Sequence, residues 1–132
     1  DPHQLLQVFI ILLTNAREAV EPCSDERRAI RLVHGSVDDG LAYRVVVVDN
    51  GVGVDEVARS RLFELFFTTK DAEHGTGLGL SISREIVEGF SGSLKLLDRE
   101  ATAALSVAGA TAFEVVLPVW KESQDPVVMV KK

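Results

Sequence analysis

The chain has 132 residues, a length typical of one domain with its own hydrophobic core. Hydrophobic residues make up 46% of it and charged residues 26%, which is ordinary for a soluble globular protein and excludes a disordered one. The net charge of −6 argues against a nucleic-acid or anionic-membrane surface. One cysteine cannot form an internal disulfide and no zinc-ligand spacing is present, so we expect a reducing, cytoplasmic compartment.

The pattern of apolar residues predicts the secondary structure in chain order. Residues 4–21 have the spacing of a helix, followed by the strands "RAIRLVHGSV" and "AYRVVVVDN" around the turn "DDGL". A short helix over "DEVARSRLFELF" and a loop over residues 68–75 precede a further helix, residues 80–90. The segments "SGSLKLLDRE" and "TAFEVVLPVW" are predicted to close the domain as a strand pair. This order predicts an α/β layered domain with a mixed sheet.

The predicted elements end near residue 120. We therefore expect a domain over residues 1–120 and a tail over residues 121–132, which Pro126 interrupts. Because the chain opens at Asp1 inside a helical pattern, we also expect it to be part of a longer protein.

Three glycines at alternate positions, Gly75, Gly77 and Gly79, lie directly before the helix 80–90. Glycine lets another molecule approach the main chain closely, and a helix start presents free N–H groups to an anion. The cluster therefore fits a phosphate-binding loop, although a mobile glycine loop without a ligand has the same sequence. Neither the dinucleotide fingerprint nor the Walker pattern is present.

Two further polar features lie in apolar surroundings. The first helix is apolar on most faces and has a narrow polar stripe, which either faces water or faces a ligand. The stripe consists of Gln4, Gln7, Thr14, Asn15 and Glu18, with Ile11 in its middle.

The second feature is Asp49, which ends a valine-rich strand and precedes Gly51 and Gly53. A carboxylate in an apolar pocket can accept a hydrogen bond from an exocyclic amine such as that of adenine, whereas an Asp-Asn-Gly turn is the alternative.

The order of these segments resembles the ATP-binding catalytic domain of sensor histidine kinases, in the Bergerat-fold ATPase and kinase superfamily. The matching boxes are "LLTNAREA", "DNGVG", "LFELFF" and "GTGLGL", with "GATAFEVVLP" similar to the last strand. The resemblance covers residues 4–118. It implies a two-layer α/β sandwich whose mixed, mostly antiparallel sheet is covered on one face by about three helices. It also implies an ATP lid over residues 54–74.

The resemblance assigns roles to individual residues. Asn15 would hold Mg²⁺ through its amide oxygen, and Asp49 would bind the adenine amine. Phe63 and Phe66 would form a hydrophobic latch of the lid, and Lys70 would either reach the γ-phosphate or remain in solvent. The implied nucleotide-binding set is Asn15, Asp49, Gly51, Gly53, Gly75, Thr76, Gly77, Leu78, Gly79 and Thr111.

The chain departs from the family pattern at three positions. Ile11 stands where histidine kinases carry a second Asn and the hydrolases carry a water-activating Glu, so we expect weak intrinsic ATP hydrolysis. Glu18 occupies a position that is often basic, and Leu65 replaces a proline. These changes bear on phosphate and metal affinity more than on the fold.

The expected function is that of a protein histidine kinase, with ATP and Mg²⁺ as cofactors. The γ-phosphate would pass to a histidine on a separate dimerisation and phosphoacceptor domain, and a response regulator would act downstream. His3, His34 and His74 lack the surroundings of a phosphoacceptor, and no nucleic acid or direct membrane contact is expected. The alternatives are a degenerate, non-catalytic nucleotide-binding or scaffolding module, and an anti-sigma-factor-type protein kinase. A gyrase-type ATPase is disfavoured because Glu is missing at position 11.

Overall fold

The computed structural model describes residues 2–26, 28–65, 67, 79–105 and 110–119. The helices are α1 (Pro2–Val20), α2 (Glu56–Arg59), α3 (Gly79–Gly89) and α4 (Arg99–Leu105). The strands are β1 (Ile30–Val37), β2 (Ala42–Asp49), β3 (Ser93–Leu96) and β4 (Thr111–Pro118), and a 3₁₀ turn at Asp38–Gly40 joins β1 to β2. None of the helices in these ranges has the length and apolar character needed to cross a membrane.

The strands form one sheet in the order β1-β2-β4-β3, in which every neighbouring pair is antiparallel. The predicted hairpin is confirmed: Asp38, Asp39 and Gly40 all adopt positive φ in the turn between β1 and β2. The closing pair is confirmed as well, since β3 pairs with β4. In the described residues the sheet is antiparallel throughout, rather than mixed as expected.

The main hydrophobic core lies between the sheet and the layer formed by α1 and α3. Helix α1 contributes side chains at a spacing of four residues, which places them on one face. The buried members of this core are Val8, Leu12, Ala16, Val47, Val87, Leu94, Phe113 and Val115.

The opposite face of the sheet is covered by α4. Val46 and Val48 alternate with Val47 and pack with Ala101 and Leu105 in a second cluster. The run of valines in β2 is therefore buried on both faces, as its lack of alternation predicts.

Helix α4 is a feature that the sequence did not predict. Arg99 and Glu100 fell at the end of the predicted strand segment "SGSLKLLDRE", and residues 101–105 followed it without a predicted element. The expectation that about three helices share one face is therefore corrected: α1 and α3 lie on one face, and α4 lies on the other. Asp98 caps α4, since its carboxylate accepts a hydrogen bond from the Ala101 N–H at 2.7 Å. The predicted tail, residues 121–132, lies outside the described residues.

Candidate functional site

Asp49 and Thr111 lie side by side at one end of the sheet. Asp49 is the last residue of β2, Thr111 is the first residue of β4, and the two are register partners. Each lies two residues along its strand from a member of the core under α1 and α3, Val47 in β2 and Phe113 in β4. Because strand side chains alternate between faces, both polar side chains face the α1–α3 layer. Each is only 4% exposed.

Burial dominates the electrostatics of Asp49. It raises the pKa of the carboxyl from 3.8 to about 6, and a hydrogen bond from the Gly51 N–H opposes this shift. That N–H donates to Oδ1 at 2.9 Å, so the Asp-Asn-Gly turn that the sequence also allowed is present. The bond engages one carboxylate oxygen and does not cancel the cost of burial.

The Thr111 hydroxyl is a second buried polar group at this place. Its Oγ1 is buried and has no hydrogen-bond partner among the residues that the structure describes. A buried hydroxyl left without a partner is unfavourable, by about 1–3 kcal/mol. A carboxylate and an unsatisfied hydroxyl on neighbouring strands therefore offer an acceptor and a donor to a polar ligand.

The loop after β2 is held against α1 by Gly51. A Cβ added to Gly51 would lie 2.3 Å from the Ala19 carbonyl oxygen, so no other residue fits there without movement of the backbone. The Val52 N–H also donates to the Ala19 carbonyl at 3.1 Å. The close approach at Gly51 is thus to α1, and it fixes this loop relative to the helix. Gly53 adopts a φ of +78°, the left-handed conformation that favours glycine.

The start of α3 meets α1 at Ile11. A Cβ added to Gly79, the first residue of α3, would lie 3.3 Å from Ile11 Cγ2. Ile11, Asn15 and Ala19 are spaced by four residues and follow one stripe of α1, with about 6 Å of rise between successive members. Half-buried Asn15 therefore lies between the Gly51 loop and the beginning of α3.

Six of the predicted nucleotide-binding residues lie in the described part of the chain. Asn15 is on α1, Gly51 and Gly79 approach α1, and Asp49 and Thr111 face the α1–α3 layer. Gly53 lies instead on the α4 side of the loop after β2. The other four members of that set lie outside the described residues; they are Gly75, Thr76, Gly77 and Leu78. Phe66 and Lys70 lie outside the described residues as well. Phe63 is described and packs against the main core. In the described part of the chain, no three His, Cys, Asp or Glu side chains are grouped so as to hold a metal ion.

A cavity of about 390 Å³ lies on the α4 side of the loop after β2. It is lined by residues 52–55, Ala110, and Arg99 and Thr102 of α4, but not by Asp49 or Asn15. Its polar groups are already engaged, since Arg99 pairs with Glu56 at 3.2 Å and the Thr102 hydroxyl donates to the Asp98 carbonyl. This cavity is therefore separate from the polar residues beside α1.

We predict that Asp49→Asn changes the pH dependence of stability. Because the folded chain holds the Asp49 proton more tightly than the unfolded chain, wild-type stability falls as the pH rises through the interval from 3.8 to about 6. The variant lacks this titration, so its stability relative to wild type should rise by up to about 3 kcal/mol between pH ~4 and pH ~7.

Urea unfolding of both chains across that pH range measures the difference. Asp39→Asn is the matched control, because it makes the same change on an exposed side chain of the 3₁₀ turn. A stability difference for Asp49→Asn that does not vary with pH would contradict a buried carboxylate with a raised pKa.

The family described as histidine kinase-, DNA gyrase B- and HSP90-like ATPase matches residues 1–121 of the chain. The two-component sensor PprA of Pseudomonas aeruginosa is 44% identical over 93 residues, which cover 69% of this chain and 10% of that protein. The histidine kinase/phosphatase NtrB of Klebsiella oxytoca is 35% identical over 126 residues, which cover 92% of this chain and 33% of that protein. The chain spans between 10% and 33% of the length of eight curated relatives that it matches.

Solved structures give the same result. The catalytic domain of histidine kinase ThkA superposes with a TM-score of 0.68 at 33% identity, covering 89% of this chain and 68% of that one. The mycobacterial sensor histidine kinase MprB superposes with a TM-score of 0.71 at 26% identity, covering 89% of this chain and 74% of that one. The α/β fold and the resemblance that the ordered boxes indicated are both confirmed. The chain belongs to the histidine kinase-, DNA gyrase B- and HSP90-like ATPase family, and it has the fold of a histidine kinase catalytic domain.

Proposed function

We propose that the chain binds Mg-ATP and transfers the γ-phosphate to a histidine on a separate dimerisation and phosphoacceptor domain, in two-component signalling. Membership of the histidine kinase-, DNA gyrase B- and HSP90-like ATPase family supports ATP binding. The kinase activity, the metal, the acceptor and the individual contacts are the proposal. The observation that carries it is the buried pair Asp49 and Thr111 facing α1 at the level of the Gly51 loop.

The pair is complementary to adenine. The hydrogen-bonding edge of adenine presents an amine donor beside a ring-nitrogen acceptor, which match an ionised carboxylate and a threonine hydroxyl. Bound in the same orientation as adenine, guanine would set its carbonyl oxygen in place of the amine, against the Asp49 carboxylate. A site with buried polar groups rejects a ligand that leaves them unpaired, so adenine is preferred over guanine.

In this proposal, Asn15 acts between the base and the phosphates. It lies about 6 Å along α1 from Ala19, which contacts the Gly51 loop, and about 6 Å from Ile11, which contacts the start of α3. Its amide oxygen fits one Mg²⁺ ligand position, because Mg²⁺ keeps waters and takes its remaining oxygens from the nucleotide. Bound Mg²⁺ would neutralise charge on the phosphates during transfer.

A similar solved structure supports nucleotide binding. Full-length ShkA, whose structure was solved with AMPPNP, superposes with a TM-score of 0.65 at 28% identity.

Ile11 favours transfer over hydrolysis. Ile11 Cγ2 would lie 3.3 Å from a Cβ added to Gly79. The side chain that this turn of α1 presents to the start of α3 is therefore apolar. An aliphatic side chain cannot take a proton from water. A water molecule at this place therefore finds no general base at position 11 of α1 to activate it. An acceptor histidine needs no such activation in the same way, because its imidazole nitrogen is itself the nucleophile.

The second candidate is a degenerate nucleotide-binding or scaffolding module, which the departures at Ile11 and Glu18 favour. An anti-sigma-factor-type protein kinase differs from the first proposal only in its acceptor. Radiolabelled ATP added to the full-length protein separates these candidates. Acid-labile, base-stable label on a histidine supports the kinase, label on a serine of a partner supports the anti-sigma type, and binding without transfer supports the scaffold.

We predict that calorimetric titration of the chain detects Mg-AMPPNP but not the matching guanine nucleotide at the same concentration. Asp49→Asn should weaken AMPPNP binding by about tenfold or more, because an amide replaces the charged acceptor of the amine. Asp39→Asn should leave binding unchanged. Absence of binding at millimolar Mg-AMPPNP to the wild-type chain would remove the nucleotide proposal.

A second prediction concerns Ile11. Ile11→Glu places a general base beside the start of α3 and should raise phosphate release from ATP by about tenfold or more over the wild-type chain. Leu13→Glu is the matched control, because it adds the same carboxylate to α1 at a position that is 39% exposed. Equal phosphate release from the two variants would show that position 11 does not face the phosphates.

A further inference from the structure

We infer that Asn50 is a positioning residue for the adenine end of the candidate site. The inference rests on the proposed function: the Asn50 side chain holds the loop after β2 in the path that sets Asp49 and Gly51 beside α1. Asn50 acts through Asp49 and not through the nucleotide.

The side-chain oxygen of Asn50 takes the place of a main-chain acceptor at the end of the β1–β2 ladder. The register that pairs Ile30 with Asp49 brings Ala29 opposite Asn50. The Asn50 N–H donates to the Ala29 carbonyl at 3.2 Å, as in a regular antiparallel pair. The Ala29 N–H, however, donates to Asn50 Oδ1 at 2.8 Å. Because the side chain provides this acceptor, the Asn50 carbonyl is not needed in the ladder and the main chain can leave the sheet here.

The main chain turns toward α1 directly after Asn50. The Gly51 N–H donates to Asp49 Oδ1 at 2.9 Å, and the Val52 N–H donates to the Ala19 carbonyl at 3.1 Å. Gly51 also lies so close to the Ala19 carbonyl that a Cβ would not fit. Asn50 is therefore the residue at which the chain passes from the sheet to the helix, next to the carboxylate that is proposed to bind adenine.

The segment that Asn50 contacts is itself fixed to α1 by Arg28. The Arg28 guanidinium donates to three carbonyls at and just beyond the end of α1, those of Val20 at 3.2 Å, Cys23 at 3.0 Å and Glu21. The last carbonyls of a helix lack partners within the helix, so a guanidinium stabilises this end. The pair of Ala29 and Asn50 thus connects the loop after β2 to a segment that is anchored on the helix it faces.

The expected consequence is an equal loss of affinity for adenosine and for Mg-AMPPNP, because the base end of the site is what changes. The loss of one hydrogen bond corresponds to about 2–12-fold in an equilibrium constant. Asn50→Ala should therefore weaken the binding of both ligands by about 3–10-fold. Asn50→Asp keeps an acceptor oxygen for the Ala29 N–H and should recover part of the affinity.

Tyr43→Phe is the matched control. It removes the 2.6 Å hydrogen bond between the Tyr43 hydroxyl and His34 Nδ1, which is also a side-chain bond between β1 and β2. Tyr43 lies about 20 Å along β2 from Asp49, so this variant should bind both ligands as wild type does.

NMR titrations with adenosine and with Mg-AMPPNP measure the affinities, and amide hydrogen exchange of the ligand-free chain measures the loop directly. Asn50→Ala should increase the exchange rates of the Gly51 and Val52 amides by a larger factor than that of the Val47 amide in the core. A role limited to overall stability would not single out these two amides.

Two further variants test the same bond. Ala29→Pro removes the N–H that donates to Asn50 Oδ1, and it replaces Asn50→Ala if that chain does not fold. Asn50→Ala combined with Asp49→Asn should lose less affinity than the product of the two single losses, because both changes act on the contact between Asp49 and the base.

Wild-type affinity in a folded Asn50→Ala chain, a loss confined to Mg-AMPPNP, or equal losses in Asn50→Ala and Tyr43→Phe would overturn the positioning role while wild-type binding upheld the proposed function. Fully additive losses in the double variant would also overturn it. If the wild-type chain bound neither ligand, the proposed function and this inference would both fall.

Discussion

The antiparallel register of β2 and β4 is the constraint on which the candidate site depends. It sets Asp49 opposite Thr111 and turns both toward α1, together with Val47 and Phe113. A slip of one residue would move Asp49 to the α4 face and Val48 to the α1 face. The ion pair between Arg44 of β2 and the buried Glu114 of β4 opposes such a slip, because the slip would break the pair and turn Arg44 toward the core under α1. This pair helps to fix the position of the buried carboxylate.

This position makes the carboxylate unfavourable in the ligand-free chain. Burial raises the pKa of Asp49 to about 6, and the neighbouring Thr111 hydroxyl lacks a partner among the described residues. Both groups would be satisfied by a ligand with a donor beside an acceptor. Under the proposed function, adenine binding would recover part of this unfavourable free energy, a common relation between local instability and function.

The sequence predicted the positions that follow from local pattern. Neighbouring residues were enough to place Asp49 at the end of an apolar strand, Asn15 on an otherwise apolar helix and the hairpin at Asp38–Gly40. The roles of Asp49 and Asn15 stay predictions. Contacts between distant segments could not. That Gly51 is required by the Ala19 carbonyl, and that Ile11 meets Gly79, depend on how α1 sits on the sheet.

Helix α4 and the Thr111 hydroxyl show two further limits. Helix α4 spans only Arg99–Leu105, too short for a periodic apolar pattern, although Asp98 before an alanine-rich stretch was a capping signal. The unsatisfied hydroxyl of Thr111 is a property of its burial against α1 and appears only with the tertiary structure. The cavity between α4 and residues 52–55 likewise has no counterpart in the sequence pattern.

The carboxyl of Asp49, followed by carbon-13 NMR during a pH titration, tests the central claim most directly. Without nucleotide, its pKa should lie near 6. With saturating Mg-AMPPNP, the pKa of Asp49 should fall, because an adenine amine donates a stronger hydrogen bond to the ionised carboxylate and stabilises that form. An Asp49 resonance whose titration is the same with and without bound nucleotide would show that this carboxylate does not contact the base.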